Sequence, residues 1–107
     1  TAEETDWIRI AALYAALAAA MPSPVVELNR AVAIGMALGP QAGLDHLDSI
    51  TDAPSLKSYH FLPAARGDLL EKLGRAEDAR AEFERAAALA RNERERKQLL
   101  NRAAALA

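Results

Sequence analysis

Alanine and leucine dominate this chain and restrict what it can fold into. Twenty-six of its 107 residues are alanine and fifteen are leucine, whereas valine and isoleucine together supply only seven. Alanine and leucine lead the ranking of helix propensities, and strands favour β-branched residues. Because helices faced with alanine can approach one another closely, a close-packed helical array is favoured over a loose bundle around a large cavity. The sequence therefore predicts an all-α protein.

Length, charge and cysteine content exclude several classes of protein. A chain of 107 residues with a hydrophobic content of 51% predicts one folded domain over residues 1–107 rather than a disordered tail. The absence of cysteine excludes disulfides, thiolate zinc sites and cysteine nucleophiles, and it favours a cytoplasmic location. No apolar run reaches the roughly 18 residues of a membrane span, so we expect no membrane contact. A net charge of −2 argues against a domain whose main task is to bind nucleic acid.

Six helices are predicted from apolar residues at spacings of three and four and from residues that begin or end helices. Asp6 is expected to cap the first helix, and Ser23 followed by Pro24 is expected to begin the second. The predicted helices cover residues 6–21, 24–38, 40–50, 59–73, 75–90 and 93–106. The apolar face of the first helix is predicted to comprise Trp7, Ile10, Tyr14, Leu17 and Met21. The short connections predict three antiparallel hairpins, with an internal joint in the turn at residues 51–55.

An internal repeat is visible in the spacing of small and aromatic residues. Residues 60–93 match a tetratricopeptide repeat of 34 residues, and residues 23–51 form a degenerate copy. The matching positions in the clearer repeat are Gly67, Gly74, Ala79, Phe83 and Ala86. We expect the small residue at position 67 to let two helices meet backbone to backbone, and Phe83 to fill the gap beside the next hairpin. A generic helical bundle, in which the glycines merely end helices, is the alternative.

Three separated segments of the chain carry a resemblance to a known protein family. These segments are Pro22-Ser-Pro-Val-Val-Glu-Leu-Asn-Arg-Ala-Val-Ala, Gly39-Pro-Gln-Ala-Gly-Leu and Tyr59-His-Phe-Leu-Pro-Ala-Ala-Arg-Gly-Asp-Leu-Leu-Glu-Lys-Leu-Gly-Arg. Together they resemble the tetratricopeptide-like C-terminal extension of extracytoplasmic-function RNA polymerase sigma factors. The resemblance covers nearly the whole chain, although Gly67 stands where the family often has alanine. Since the chain begins at Thr1 rather than at methionine, we expect it to be a domain of a longer protein, and the resemblance implies that it is the C-terminal one.

The resemblance implies a regulatory protein-interaction domain that modulates transcription initiation. Its implied partners are the N-terminal sigma domains or RNA polymerase, or a regulatory protein or peptide, with no direct nucleic-acid contact through this domain. A free-standing tetratricopeptide scaffold that binds peptides is the alternative. A third class, a helical small-molecule sensor, is kept open only by Tyr59, His60 and Arg66.

Residue patterns for catalysis or metal binding are weak, so we expect no enzyme activity, no cofactor and no metal. His46 lies between Asp45 and Asp48, but these positions do not converge on one helical face, and a solvated histidine is expected. The basic run at residues 91–97 contains interleaved glutamates and lacks aromatic residues, so it predicts a solvated helix start. Asn92 and Glu95 within it form a capping-box pattern.

Polar residues on the first helices of the predicted hairpins are the candidates for partner binding. Arg30 can offer a planar pair of donors to a carboxylate on a partner, or it can pair with Glu27 and tie helices together. Arg66 carries the same ambiguity, and His60 is expected to act as a polar cap or a partner contact. The candidate residues are Asn29, Arg30, Tyr59, His60, Arg66 and Asp68. Stacked hairpins would bring Arg30 and Arg66 towards one concave surface.

Overall fold

A computed structural model describes residues 2–50, 56 and 59–106, with side chains from Asp6 onward. Six helices and no strand occur in this described part, which confirms the all-α prediction. The helices are α1 (Ala2–Ala20), α2 (Pro24–Leu38), α3 (Pro40–Asp48), α4 (Phe61–Lys72), α5 (Ala76–Leu89) and α6 (Glu93–Ala105). The chain divides into two compact units, residues 1–57 and residues 58–107. The turn predicted at residues 51–55 lies outside the described residues.

Helices that follow one another in the chain pack together within each unit. In the first unit α2 packs against both α1 and α3, and in the second unit α5 packs against both α4 and α6. The links are short: one residue joins α2 to α3, and three residues join each of the other packed pairs. Links of this length turn the chain back on itself, which is the helical-hairpin arrangement that the sequence predicts.

The ends of the helices follow the predicted signals at most positions. Pro24 and Pro40 begin their helices, and Gly74 follows α4 with a positive φ of 79°, which residues with a β-carbon rarely adopt. The Asn92 side chain caps α6 by accepting a hydrogen bond from the Glu95 amide at 2.9 Å. The cap predicted at Asp6 is wrong, because α1 begins at Ala2 and Asp6 lies inside it.

Alanine rather than the larger apolar residues provides the buried surface of α1. Ala18 is its one buried residue among the described side chains, and Ala11 and Ala15 lie half-buried at positions on the same side of the helix. The larger residues of the predicted apolar face are only partly covered, and Met21 just after the helix is 66% exposed. The most buried contact of α1 is therefore made by a small side chain, while Trp7, Ile10 and Tyr14 are half-buried and Leu17 is exposed.

The closest approach of two helices in the first unit lies where α2 meets α3. A β-carbon added to Gly43 would lie 2.8 Å from the carbonyl oxygen of Ala31 and 2.8 Å from the Cα atom of Gly35. Real β-carbons do not tolerate such distances to backbone atoms, so position 43 requires glycine. Leu44 and Leu47 are buried on the same helix. Backbone contact between helices, predicted for position 67, therefore occurs at position 43.

Phe83 is the largest fully buried side chain of the second unit and lies between α4 and α6. A β-carbon added to Gly67 of α4 would lie 2.9 Å from a ring carbon of Phe83, and the Arg102 guanidinium of α6 lies 4.3 Å from the ring centroid. The burial predicted for Phe83 is confirmed. The reason predicted for Gly67 is wrong, because the glycine makes room for an aromatic ring rather than for a neighbouring backbone.

Candidate functional site

An open cleft of about 330 Å³ lies between the beginning of α4 and the length of α6. Its lining combines apolar side chains with a small number of polar ones: His60, Phe61, Ala64, Glu95, Gln98, Leu99 and Arg102. The contributing positions on each helix are three or four residues apart, so each set lies on one face. A concave surface of this mixed character is typical of a binding site.

Arg102 is the most constrained polar side chain of the cleft. Its Nη2 atom donates to Asp68 Oδ1 at 3.1 Å and to Glu71 Oε1 at 2.9 Å, so α4 holds an arginine of α6. Stacking over the Phe83 ring adds a cation–π contact on the face of the guanidinium. No residue in the described ranges accepts a hydrogen bond from its Nε or Nη1 atoms. Arg102 therefore keeps donors for a ligand while its orientation is fixed.

The carboxyl group of Asp68 is stabilised in its charged form. Partial burial raises its pKa, but hydrogen bonds from Lys72 and Arg102, together with their positive charges, outweigh this effect and hold the pKa below 3.8. The Lys72 Nζ atom donates to Asp68 Oδ2 at 2.9 Å. Asp68 was a predicted partner-binding residue, and in the structure its contacts are with side chains of its own unit.

Glu95 both stabilises the start of α6 and lines the cleft. Its carboxylate accepts a hydrogen bond from the backbone N–H of Arg91 at 3.2 Å, which is the main reason that its pKa lies below the ordinary value. Slight desolvation raises this pKa, and the charges of His60 and Arg91 lower it further. Half of the predicted capping box is confirmed: Asn92 accepts from the Glu95 amide, but the Glu95 carboxylate accepts from the N–H of Arg91 and not from that of Asn92.

Aromatic rings surround the start of α4. The Tyr59 ring lies edge-on to the His60 ring at 5.7 Å and is tilted against the Phe61 ring at 6.0 Å. His60 immediately precedes α4, but its side chain makes no capping hydrogen bond, so the predicted polar cap is wrong. Instead, its Nε2 atom lies 3.6 Å from Glu95 Oε2, in the range of an ion pair but beyond that of a good hydrogen bond. Arg66, grouped with Tyr59 and His60 in the sequence, does not line the cleft.

The candidate residues of the first unit form a separate polar cluster. Arg30 lies 3.5 Å from Glu27, and the other carboxylate oxygen of Glu27 lies 2.5 Å from His46 Nε2, which links α2 to α3. The expectation that His46 is solvated is wrong, because its side chain is only 21% exposed and is paired. Asn29 is half-buried beside Arg30. The pairing of Arg30 with Glu27 matches its predicted structural role.

Arg30 and Arg66 belong to different units of the chain. Arg30 lies on α2 and Arg66 lies half-buried on α4. Their convergence on one concave surface stays a prediction.

Sequence reasoning missed Arg102, although one pattern could have found it. Asp68 and Arg102 are 34 residues apart, which equals the predicted repeat length. Equivalent positions of successive repeats lie side by side when hairpins stack. An acid and a base at this separation therefore predict an ion pair between two first helices.

Two kinds of feature do not occur in the described part of the chain. No group of three or more His, Cys, Asp or Glu side chains there is arranged to hold a metal ion. None of the described helices has the length and apolar character needed to span a membrane.

Comparison with known proteins gives one informative similarity. The chain is similar to an uncharacterized protein of Rhizobium meliloti (strain 1021), with 48% identity over 90 residues. The match covers 84% of this chain and 21% of that protein, so the chain spans about a fifth of the length of the curated relative it matches. No family model matches the chain, and no solved structure matches it.

Proposed function

We propose that this chain is the regulatory protein-interaction domain of a bacterial extracytoplasmic-function-type sigma factor. It modulates transcription initiation in the cytoplasm through contacts with the sigma domains, with RNA polymerase or with a regulatory protein or peptide, and it needs no cofactor. The observation that carries this proposal is the cleft between α4 and α6. Its α4 side is built by the segment from Tyr59 to Arg75, which is also the longest segment that resembles the family.

The segments that resemble the family coincide with the polar contacts and helix ends of the structure. The first segment supplies the start of α2 with Glu27 and Arg30, and the second supplies the link at Gly39 and the start of α3. The third supplies His60 and Asp68. The segments that carry the resemblance therefore include residues that make polar contacts and a residue that links two helices.

The size of the relative supports a domain within a longer protein. Roughly four fifths of that protein lies outside the region matched by this chain. A sigma factor requires such additional length for the domains that bind the polymerase and the promoter. The relative is therefore compatible with the proposed arrangement.

The electrostatics of the cleft favour binding over proton transfer. The lowered pKa values of Asp68 and Glu95 keep both carboxylates ionised at neutral pH. A general acid or base works best with a pKa near the working pH. These groups therefore orient the cleft and its neighbours, as a binding surface requires.

A free-standing tetratricopeptide scaffold that binds peptides is the second candidate function, and the same cleft would suit it. The coding sequence upstream of Thr1 separates the two candidates. Sigma-factor regions there would support the first, and their absence would leave the scaffold.

A reporter-transcription assay on the full-length factor tests the proposal directly. Ala64→Trp fills the cleft, and Ala88→Trp places the same side chain on the exposed surface of α5 as a matched control. We expect Ala64→Trp to change transcription while its thermal melt stays close to that of the parent, and Ala88→Trp to leave both unchanged. Equal transcription from both variants would contradict a regulatory role for the cleft.

A further inference from the structure

We propose that the cleft between α4 and α6 binds an acidic peptide segment that carries apolar side chains. This inference rests on the proposed function and names the class of partner. It follows from the size of the cleft, from the carboxylates around it that are already paired, and from the positive charge beside it that is not paired.

The cleft has room for apolar side chains of a peptide. Its volume of about 330 Å³ is roughly twice that of the cavity of about 150 Å³ that accepts a benzene ring. Ala64, Leu99 and the 39% exposed Phe61 supply apolar lining. Two apolar side chains of one peptide, spaced a helical turn apart, match this space.

The negative charges around the cleft are already paired within the unit. Asp68 and Glu71 both bind Arg102, and Asp68 also binds Lys72. Glu95 accepts hydrogen bonds from the backbone and the side chain of Arg91. A basic peptide would therefore have to displace existing ion pairs before it gained any of its own.

One positive charge on α6, Arg94, lacks such pairing and forms with Arg102 a basic edge of the cleft. Arg94 is exposed, and no ion pair or hydrogen bond joins it to another residue within 59–106. Lys97 lies on the opposite face of α6, because it is not three or four residues from any residue that lines the cleft. Arg94 lies four residues before Gln98, which places it on the side of α6 that carries the cleft. The Nε and Nη1 atoms of Arg102 add further donors nearby. Carboxylates on a bound peptide would meet this edge while the apolar side chains enter the cleft.

A binding experiment with a defined probe tests the inference. The probe is a fluorescein-labelled dodecapeptide with two leucines four positions apart and four glutamates, and its analogue carries lysines in place of the glutamates. Binding to the full chain is measured by fluorescence anisotropy. We expect the acidic peptide to bind at least tenfold more tightly than the lysine analogue, and Arg94→Glu to weaken its binding about tenfold.

Two variants separate the cleft from general surface charge. Ala64→Trp should abolish binding, because it fills the cleft without changing any charge. Arg80→Glu reverses the charge of a half-exposed arginine on α5, which contributes no residue to the cleft, and should change binding by less than about twofold. Circular dichroism checks that each variant is folded, and Arg94→Glu replaces an exposed side chain, so it keeps the test valid if Ala64→Trp does not fold.

The outcomes that overturn the inference are distinct from those that overturn the proposed function. Equal binding of the acidic and lysine peptides, or no binding of either, would remove the acidic partner. Tighter binding of a labelled single-stranded oligonucleotide than of the acidic peptide would assign the basic edge to nucleic acid instead. In each of these cases the reporter assay with Ala64→Trp would still report independently on transcriptional regulation.

Discussion

Asp68 shows how a single side chain makes the stability of the second unit depend on pH. Its pKa lies below 3.8 in the folded chain, because the hydrogen bonds from Lys72 and Arg102 outweigh the opposing effect of burial. A carboxyl group whose pKa is lowered by folding stabilises the fold at pH values above its unfolded pKa. This contribution is lost as the pH falls through the folded pKa.

We therefore expect Asp68→Asn to lower the melting temperature at pH 7 and to lose its effect progressively as the pH falls below 3.8. Thermal melts of the parent and the variant over this pH range measure the difference. Asp78→Asn is the matched control, because it removes a carboxylate from an exposed pair with Arg75 within one helical turn. A difference between parent and Asp68→Asn that stays constant with pH would show that the charge of Asp68 does not matter.

At the scale of helices, Gly67 and Phe83 fit closely together where α4 packs against α5. Phe83→Ala should cost about 3–5 kcal/mol of stability, a large fraction of the 5–15 kcal/mol typical of a domain. Gly67→Ala should cost about 1–3 kcal/mol, because the added methyl group would lie 2.9 Å from the buried ring. Urea denaturation of each variant measures these losses.

A double-mutant cycle tests whether the two residues act on each other. Phe83→Leu removes the ring atoms that a β-carbon at position 67 would meet, so Gly67→Ala should cost much less in that background. Without the clash with the ring, the higher helix propensity of alanine should stabilise α4 by about 0.5–1 kcal/mol. Additive losses in the cycle would mean that Gly67 is required for some reason other than the ring.

The sequence predicted the helices better than it predicted their contacts, and particular residues show why. Pro24, Pro40 and Asn92 act on the backbone next to them, so their effects are visible locally. The contact of His46 with Glu27 spans 19 residues and depends on how two helices cross. The apolar face of α1 was predicted from its large residues, whereas Ala18 is its buried residue among the described side chains, and alanine contributes little to a periodic pattern.

Contacts between residues that are distant in the sequence were also the part of the candidate site that was hardest to predict. Tyr59, His60 and Asp68 were found because they lie in a distinctive segment, and the structure places His60 at the cleft and Asp68 beside it. Arg102 was missed because its partners are 34 and 31 residues away. Reasoning from one helix at a time cannot supply a contact that only the stacking of hairpins creates.

At the scale of the whole molecule, Arg30 and Arg66 are predicted to serve one partner surface. An experiment can distinguish this role from a purely structural one. If they contact a partner, Arg30→Ala or Arg66→Ala should reduce transcription from a reporter while the melting temperature changes little. If they are structural, stability falls first and transcription follows it. The ion pair with Glu27 leads us to expect the structural outcome for Arg30.

The measurement pairs a thermal melt of each variant with the reporter assay on the full-length factor. Arg80→Ala is the control, since Arg80 lies about half exposed on α5 and pairs only with Glu84 among the described residues. Unchanged transcription from both arginine variants, with unchanged melts, would remove them from the partner surface altogether.

The single residue between α2 and α3 limits how this protein can change in length during evolution. The link offers no spare residue, so one inserted at Gly39 would shift the start of α3 and carry Gly43 away from its contact with Ala31 and Gly35. A side chain would then occupy the crossing, and the two helices would have to separate. The three-residue link at residues 73–75 also joins two closely packed helices, but it has more residues over which an insertion can be absorbed. Natural insertions and deletions among relatives should therefore accumulate at such links and spare the junction at Gly39.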